Sequence, residues 1–103
     1  MRRLLAAGVA VLLLGASPGD SDGFRAMMGE AIARMHEAMH VPFTGDADHD
    51  FARMMIPHHQ GGIDMALVEL RYGKDERLRR LAQEIVVSQK QEIEVMKLTL
   101  GER

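Results

Sequence analysis

Phe24, Met28, Ile32, Met35 and Met39 follow one another at three- and four-residue steps, with Glu30, Arg34 and Glu37 on the opposite side. That spacing lays an apolar stripe along one face of an α-helix. It predicts a first helix from about Phe24 to His40, with Asp22 as its N-cap. Pro42 and Gly45 break the pattern between Val41 and Ala47. A second helix is expected from about Asp48 to Tyr72, capped by Asp46 or Asp48 and stopped at Gly73. It carries two stripes, one through Phe51, Met55, His58, Gly62, Met65 and Glu69, the other through Ile56, Ile63, Leu67 and Leu70. A helix apolar over so much of its circumference belongs at the centre of a bundle. Pro57 lies inside it and predicts a kink. Gly61 and Gly62 each cost about 1 kcal/mol relative to alanine in a helix interior, which calls for the close approach of another helix. A third helix runs from about Asp75 to Leu100, with Gln89 and Glu92 as polar residues on its otherwise apolar stripe. The short Gly73-Lys74 link makes helices two and three an antiparallel hairpin, with the first helix packing across them. No segment alternates in the strand fashion, so the fold class is all-α, a three-helix partial bundle that pairing of two chains would complete.

The chain has 103 residues, a formal net charge of −2 and no cysteine. The length allows one domain. The charge implies no nucleic-acid surface. The missing cysteines exclude disulfides, thiolate nucleophiles and Cys-type zinc or iron–sulfur sites. At the start, Met1-Arg2-Arg3 precedes an apolar run and then Gly15, Ala16, Ser17, Pro18 and Gly19. A basic start, a short apolar core and a small-residue exit describe a secretory signal peptide. Cleavage is expected after Ala16, or as late as Gly19, leaving residues 17–23 as a linker and 24–103 as the domain. The apolar stretch from Leu4 to Ala16 has 13 residues, short of the roughly 20 that a permanent membrane span needs. A periplasmic or secreted protein follows from this reading, and its small core suggests a homodimer or a bound metal for support.

Nine methionines beside five histidines form the compositional anomaly. Met54, Met55, His58, His59 and Met65 fall within twelve residues. Met55 stands at i, i+3 and i, i+4 to the two histidines, steps at which helical side chains reach a common point. Met35, His36, Met39 and His40 form a second group on the first helix, and Met96 lies on the inner face of the third. Thioethers bind hard cations poorly and suit Cu(I), with Ag(I) its closest relative; imidazole adds affinity for Cu(I), Cu(II) or Zn²⁺. Gln89 and Glu92 are candidates to orient His58 or His59 through the other ring nitrogen. Core filling by methionine explains Met28, Met35 and Met39 equally well. The adjacent His58-His59 pair resists so plain an account, because a buried imidazole needs partners. His49, between Asp48 and Asp50, is expected at the solvated surface.

His36-Glu37-Ala38-Met39-His40 matches the H-E-x-x-H pattern of zinc hydrolases. Such a site also needs a third ligand and a surface for extended substrate, and Pro42 ends the helix two residues later. Half of a di-iron Glu-x-x-His pattern is present at Glu37 and His40, without its second half. An enzyme is therefore not expected.

The run from Asp50 to Gly61, with Ile63-Asp64-Met65-Ala66, the segment Leu70 to Asp75, and Gln89, Glu92, Ile93 and Met96, resembles the domain-of-unknown-function family 305. These are secreted or periplasmic ferritin-like helical proteins that include cyanobacterial copper-binding members. The resemblance implies copper binding through Met and His. It carries over the signature positions Asp50, Met55, His58, His59, Gly61, Asp64, Met65, Gln89, Glu92 and Met96, with Asp50, Gln89 and Glu92 as supporting partners of the ligands. Gly62 departs from the family's usual alanine. The combined expectation is an exported protein that sequesters or transfers Cu(I), with Met55, His58, His59 and Met65 at the centre of the site and a periplasmic copper-handling partner downstream. The competing expectation is a metal-free dimerisation module held by a buried His/Gln/Glu network.

Overall fold

The computed structural model describes residues 20–102. The expected signal peptide and its cleavage site lie outside the described residues. Three helices follow in order, α1 (Ser21–Ala38), α2 (Ala47–Tyr72) and α3 (Glu76–Thr99), with no strand among the described residues. No helix among them is long and apolar enough to cross a membrane.

Aspartates set all three starts. Asp20, Asp46 and Asp75 accept from the backbone N–H of Gly23, His49 and Leu78 at 3.0, 3.2 and 3.0 Å. A carboxylate there satisfies one of the donors that a helix leaves unpaired and meets the positive end of its dipole. The cap of α1 is thus Asp20 rather than Asp22, and the helix begins inside the expected linker. It also ends early: Ala38 is its last residue, Met39 its C-cap, and His40 lies beyond. Helix α2 runs through Pro57 without interruption. At its end Gly73 is extended (φ −74°, ψ 158°) rather than left-handed. Arg79 completes the turn, its guanidinium donating to the carbonyls of Leu70 at 2.6 Å and Gly73 at 3.3 Å. The last four carbonyls of a helix have no intrahelical donor, and Arg79, by meeting one of them, ties α3 to α2.

Helix α1 packs on α2, and α3 packs on α2, but α1 and α3 do not meet. The first helix therefore lies beside the hairpin instead of across it. The reason is visible at the two adjacent glycines. A Cβ on Gly61 would fall 2.7 and 2.9 Å from Met35 Cγ and Cβ, whereas one on Gly62 would meet the Gln89 carboxamide, 3.2 Å from its carbon. Neighbouring helical residues point about 100° apart, so each glycine admits a different helix. Tyr72 anchors the other end of α1, edge-on to Phe24 with ring centroids 6.4 Å apart, its hydroxyl donating to Met27 Sδ at 3.3 Å.

The α2–α3 core is built from Ala52, Ile63, Ile93 and Met96, with Met55, Ile56, Val86 and Leu100 packed against it. Small residues, Ala31, Ala52, Ala66 and Ala82, hold much of the interior, and no large side chain among the described residues is fully buried.

Candidate functional site

His59 is the residue around which donor chemistry gathers. It sits on the α3 flank of α2, its side chain 14% exposed. Its Nε2 and the Glu92 carboxylate of α3 are 2.6 Å apart, which fits an N–H donating to a carboxylate. In the neutral imidazole that pairing leaves the lone pair on Nδ1. Nδ1 is buried and has no hydrogen-bond partner. Buried polar atoms are seldom left so.

The residues near the His59 ring are mostly apolar. A recess of about 280 Å³ is lined by Phe51, His59, Glu92, Val95 and Met96. Met96 belongs to the buried cluster against which Met55 packs, and Met55 stands one turn before His59 on the same helix. His59, Met55 and Met96 thus fall in one region of the α2–α3 interface, an imidazole and two thioethers, with the Glu92 carboxylate on the Nε2 side of the ring. Among the described residues no group of three or more His, Asp or Glu converges to hold a metal, which leaves the imidazole and thioethers near His59 as the donor set to consider. A Cu(I)-type ion takes such a set, whereas zinc sites of the usual kind need more nitrogen or oxygen ligands.

The remaining expected ligands are dispersed. His58 is exposed, its ring 6.1 Å from that of His59 between centroids and tilted by 58°. Met54 and Met65 are half-buried; Met65 lines a separate apolar recess of about 310 Å³ with Leu78, Leu81 and Ile85. Gln89 lies over Gly62 at the border of that recess. On the other flank, Met35 covers Gly61 and lines a recess of about 150 Å³ with Arg34, Pro57 and Asp64. His36 and His40 are exposed and Met39 half-buried. With α1 and α3 apart, the first-helix group and the His59 group do not form one cluster. His40 stands past the end of α1, so His36 and His40 lack the helical spacing that the zinc-hydrolase pattern uses.

Asp50 is engaged elsewhere. Its carboxylate accepts from the N–H groups of Thr44 at 3.0 Å and Gly45 at 3.1 Å and from the Thr44 hydroxyl at 2.8 Å. It latches the α1–α2 loop. The Thr44 N–H above all, then the Thr44 hydroxyl and Gly45 N–H, hold its pKa below the ordinary carboxylate value against the opposing effect of desolvation. His49 is half-buried rather than fully solvated, with Nδ1 lacking a partner 3.6 Å from Asp50. Phe51 and Val95, which wall the His59 recess, were not legible as site residues; their only signal is their position on stripes shared with Met55 and Glu92.

An uncharacterized protein of Acanthamoeba polyphaga mimivirus is 39% identical over 56 residues, covering 54% of this chain and 37% of the relative. The chain thus spans little more than a third of the length of that curated relative. The family model described as Domain of unknown function (DUF305) matches residues 14–100, which takes in all three helices. By that match the chain belongs to the DUF305 family.

Proposed function

We propose that this protein binds Cu(I) as cargo, sequestering or transferring it outside the cytoplasm and so contributing to metal tolerance. Export rests on the signal-like segment at the start of the sequence. The observation that carries the reading is the buried, partnerless Nδ1 of His59, a residue that shares its recess with Met96 and stands one helical turn after Met55. Glu92 fixes the ring and its tautomer, as carboxylates commonly do behind metal-bound imidazoles. Phe51 and Val95 wall the recess with apolar surface, which suits a weakly hydrated monovalent ion. Ag(I) shares this chemistry; Cu(II) and Zn²⁺ would gain only the single nitrogen and fit the set less well.

Anaerobic titration of the purified protein with Cu(I) against a competing chelator tests the reading. Saturable binding of one ion per chain is expected, lost in His59→Ala. No saturable binding tighter than millimolar would refute it.

A second reading has a specific observation in its favour: the His59–Glu92 bond joins α2 to α3, as a purely structural polar contact would. On that reading chelators leave the melting temperature and oligomeric state unchanged, and Cu(I) does not raise the melting temperature. On the copper reading, ion present at 100 times its Kd stabilises by about 2.7 kcal/mol.

A further inference from the structure

We infer that a second copy of this chain packs antiparallel on the outer side of the α2–α3 hairpin and brings its Met65 over the His59 recess of the first. The pairing rests on the surface alone; a ligand role for Met65 rests also on the copper reading.

The hairpin is furnished the wrong way round for a monomer. Alanines fill its interior, while Phe51, Leu78, Leu81 and Val95 are 61, 53, 48 and 64% exposed. These four line three successive recesses along one side of the hairpin. The strip runs from Leu78 at the tight turn, past Met65 and then His59 and Glu92, to Phe51 and Val95 at the open end. Apolar strips of this extent on a soluble protein mark contact surfaces. Helix α1 does not cover it, because α1 meets α2 only on the opposite flank. The 24 residues of α3 make a helix about 36 Å long. Two helices at a spacing near 10 Å then give a face on the order of 700 Å², close to the roughly 800 Å² per partner of a stable interface.

Charge selects the occupant. The turn end carries Arg71, Lys74, Arg77, Arg79 and Arg80 against Glu69, Asp75 and Glu76. Among the described residues, the open end carries Asp46, Asp48, Asp50, Glu92, Glu94 and Glu102 against Arg53, Lys90 and Lys97. A hairpin whose charge is positive at one end and negative at the other is complementary to itself when turned end for end. Two-fold pairing of identical patches is the commonest oligomer geometry, and two hairpins stacked this way complete a four-helix bundle. With the axis near the middle of α2, between Gly61 and Gly62, His58 of one copy lies opposite Met65 of the other. Met65, remote from His59 within a chain, becomes its neighbour across the dimer.

Sedimentation of the metal-free protein is expected to show a dimer. Leu81→Glu should make it monomeric with helicity intact. Leu67→Glu should leave it dimeric, because Leu67 is as exposed (49%) but lines none of the three recesses. A monomeric parent protein, or dissociation by Leu67→Glu and not by Leu81→Glu, overturns the proposal. Since the chain lacks cysteine, His58→Cys and Met65→Cys can be mixed and mildly oxidised. A mixed 58–65 disulfide should dominate; predominance of 65–65 crosslinks would mean parallel packing and overturn it. With Cu(I), His59→Ala and Met65→Leu homodimers should each bind weakly, and mixing them should restore one intact site per dimer. No recovery would show that Met65 does not act in trans. A crosslinked dimer whose unmodified parent binds no Cu(I) refutes the copper reading while upholding the pairing.

Discussion

The two flanks of α2 use the same residue types for different ends. On the α1 flank, Met35 fills the notch at Gly61 and Met27 receives the Tyr72 hydroxyl. These sulfurs are engaged in packing; among the described residues the buried nitrogens without a partner are Nδ1 of His49, at the Asp50 latch, and Nδ1 of His59. On the α3 flank, Met96 shares a recess with an imidazole that is satisfied on one nitrogen and not on the other, and Met55 packs on the same core cluster. Methionine is thus neutral evidence for metal binding. What distinguishes the flanks is the unpaired nitrogen.

Removing that nitrogen gives the largest predicted effect. Outer partners of a metal site commonly contribute 10–100-fold in affinity, so His59→Ala should weaken Cu(I) binding by more than about 100-fold and Glu92→Gln by about 10-fold. Met35→Leu, which changes a sulfur on the packing flank, should leave affinity within about 2-fold by the same measure. Competitive Cu(I) titration of the three variants reads this directly. Equal losses in His59→Ala and Met35→Leu would erase the distinction between the flanks.

How closely α1 is held supplies the next effect. The atoms a Gly61 side chain would strike include Met35 Cβ, which moves only if α1 moves. Overpacking costs about 1–3 kcal/mol, and alanine in place of glycine returns about 1 kcal/mol of helix propensity. Gly61→Ala should therefore lower the unfolding free energy in urea by about 1–2 kcal/mol, with Cu(I) affinity nearly unchanged.

The helices, their polarity and the hairpin were legible in the sequence, because apolar periodicity and aspartate caps are local signals. The first cap was misread by one aspartate: Asp20 and Asp22 both precede an apolar run, and only backbone geometry decides which carboxylate meets an N–H. The docking of α1 was not legible. Its stripe says that one face is buried and not against what, and two small glycines at adjacent positions conceal which neighbour each admits. The candidate site was legible in composition and not in direction. His58 and His59 are equivalent in spacing to Met54 and Met55, yet a rotation of about 100° sends one to solvent and the other to Glu92. Asp50 shows the same limit: a residue near the histidines by sequence turns away to hold Thr44 and Gly45.

That latch predicts a pH-dependent stability away from both flanks. The Asp50 pKa is lowered in the folded protein, so its ionised form is favoured by folding. The contribution is present above the unfolded carboxylate pKa and is lost as pH falls through the depressed folded value. Asp50→Ala should lower the thermal midpoint at neutral pH, and the gap from the parent protein should close in that acid range. A gap that persists unchanged below it would mean that the charge of Asp50 contributes nothing to the loop.

The smallest effect should carry the opposite sign from that at Gly61. A Cβ on Gly62 meets only the Gln89 carboxamide, its carbon at 3.2 Å and its nitrogen at 3.4 Å. That group is the far end of a flexible side chain at the edge of an open recess. It can swing aside without shifting α3, so the helix-propensity gain of about 1 kcal/mol is mostly kept. Gly62→Ala should raise stability by a few tenths to about 1 kcal/mol, read as a higher urea midpoint with an unchanged slope. A destabilisation as large as that of Gly61→Ala would mean that α3 is clamped on α2 as closely as α1. The difference between the flanks would then lie in the polar chemistry around His59 alone, with no part played by how near each helix approaches.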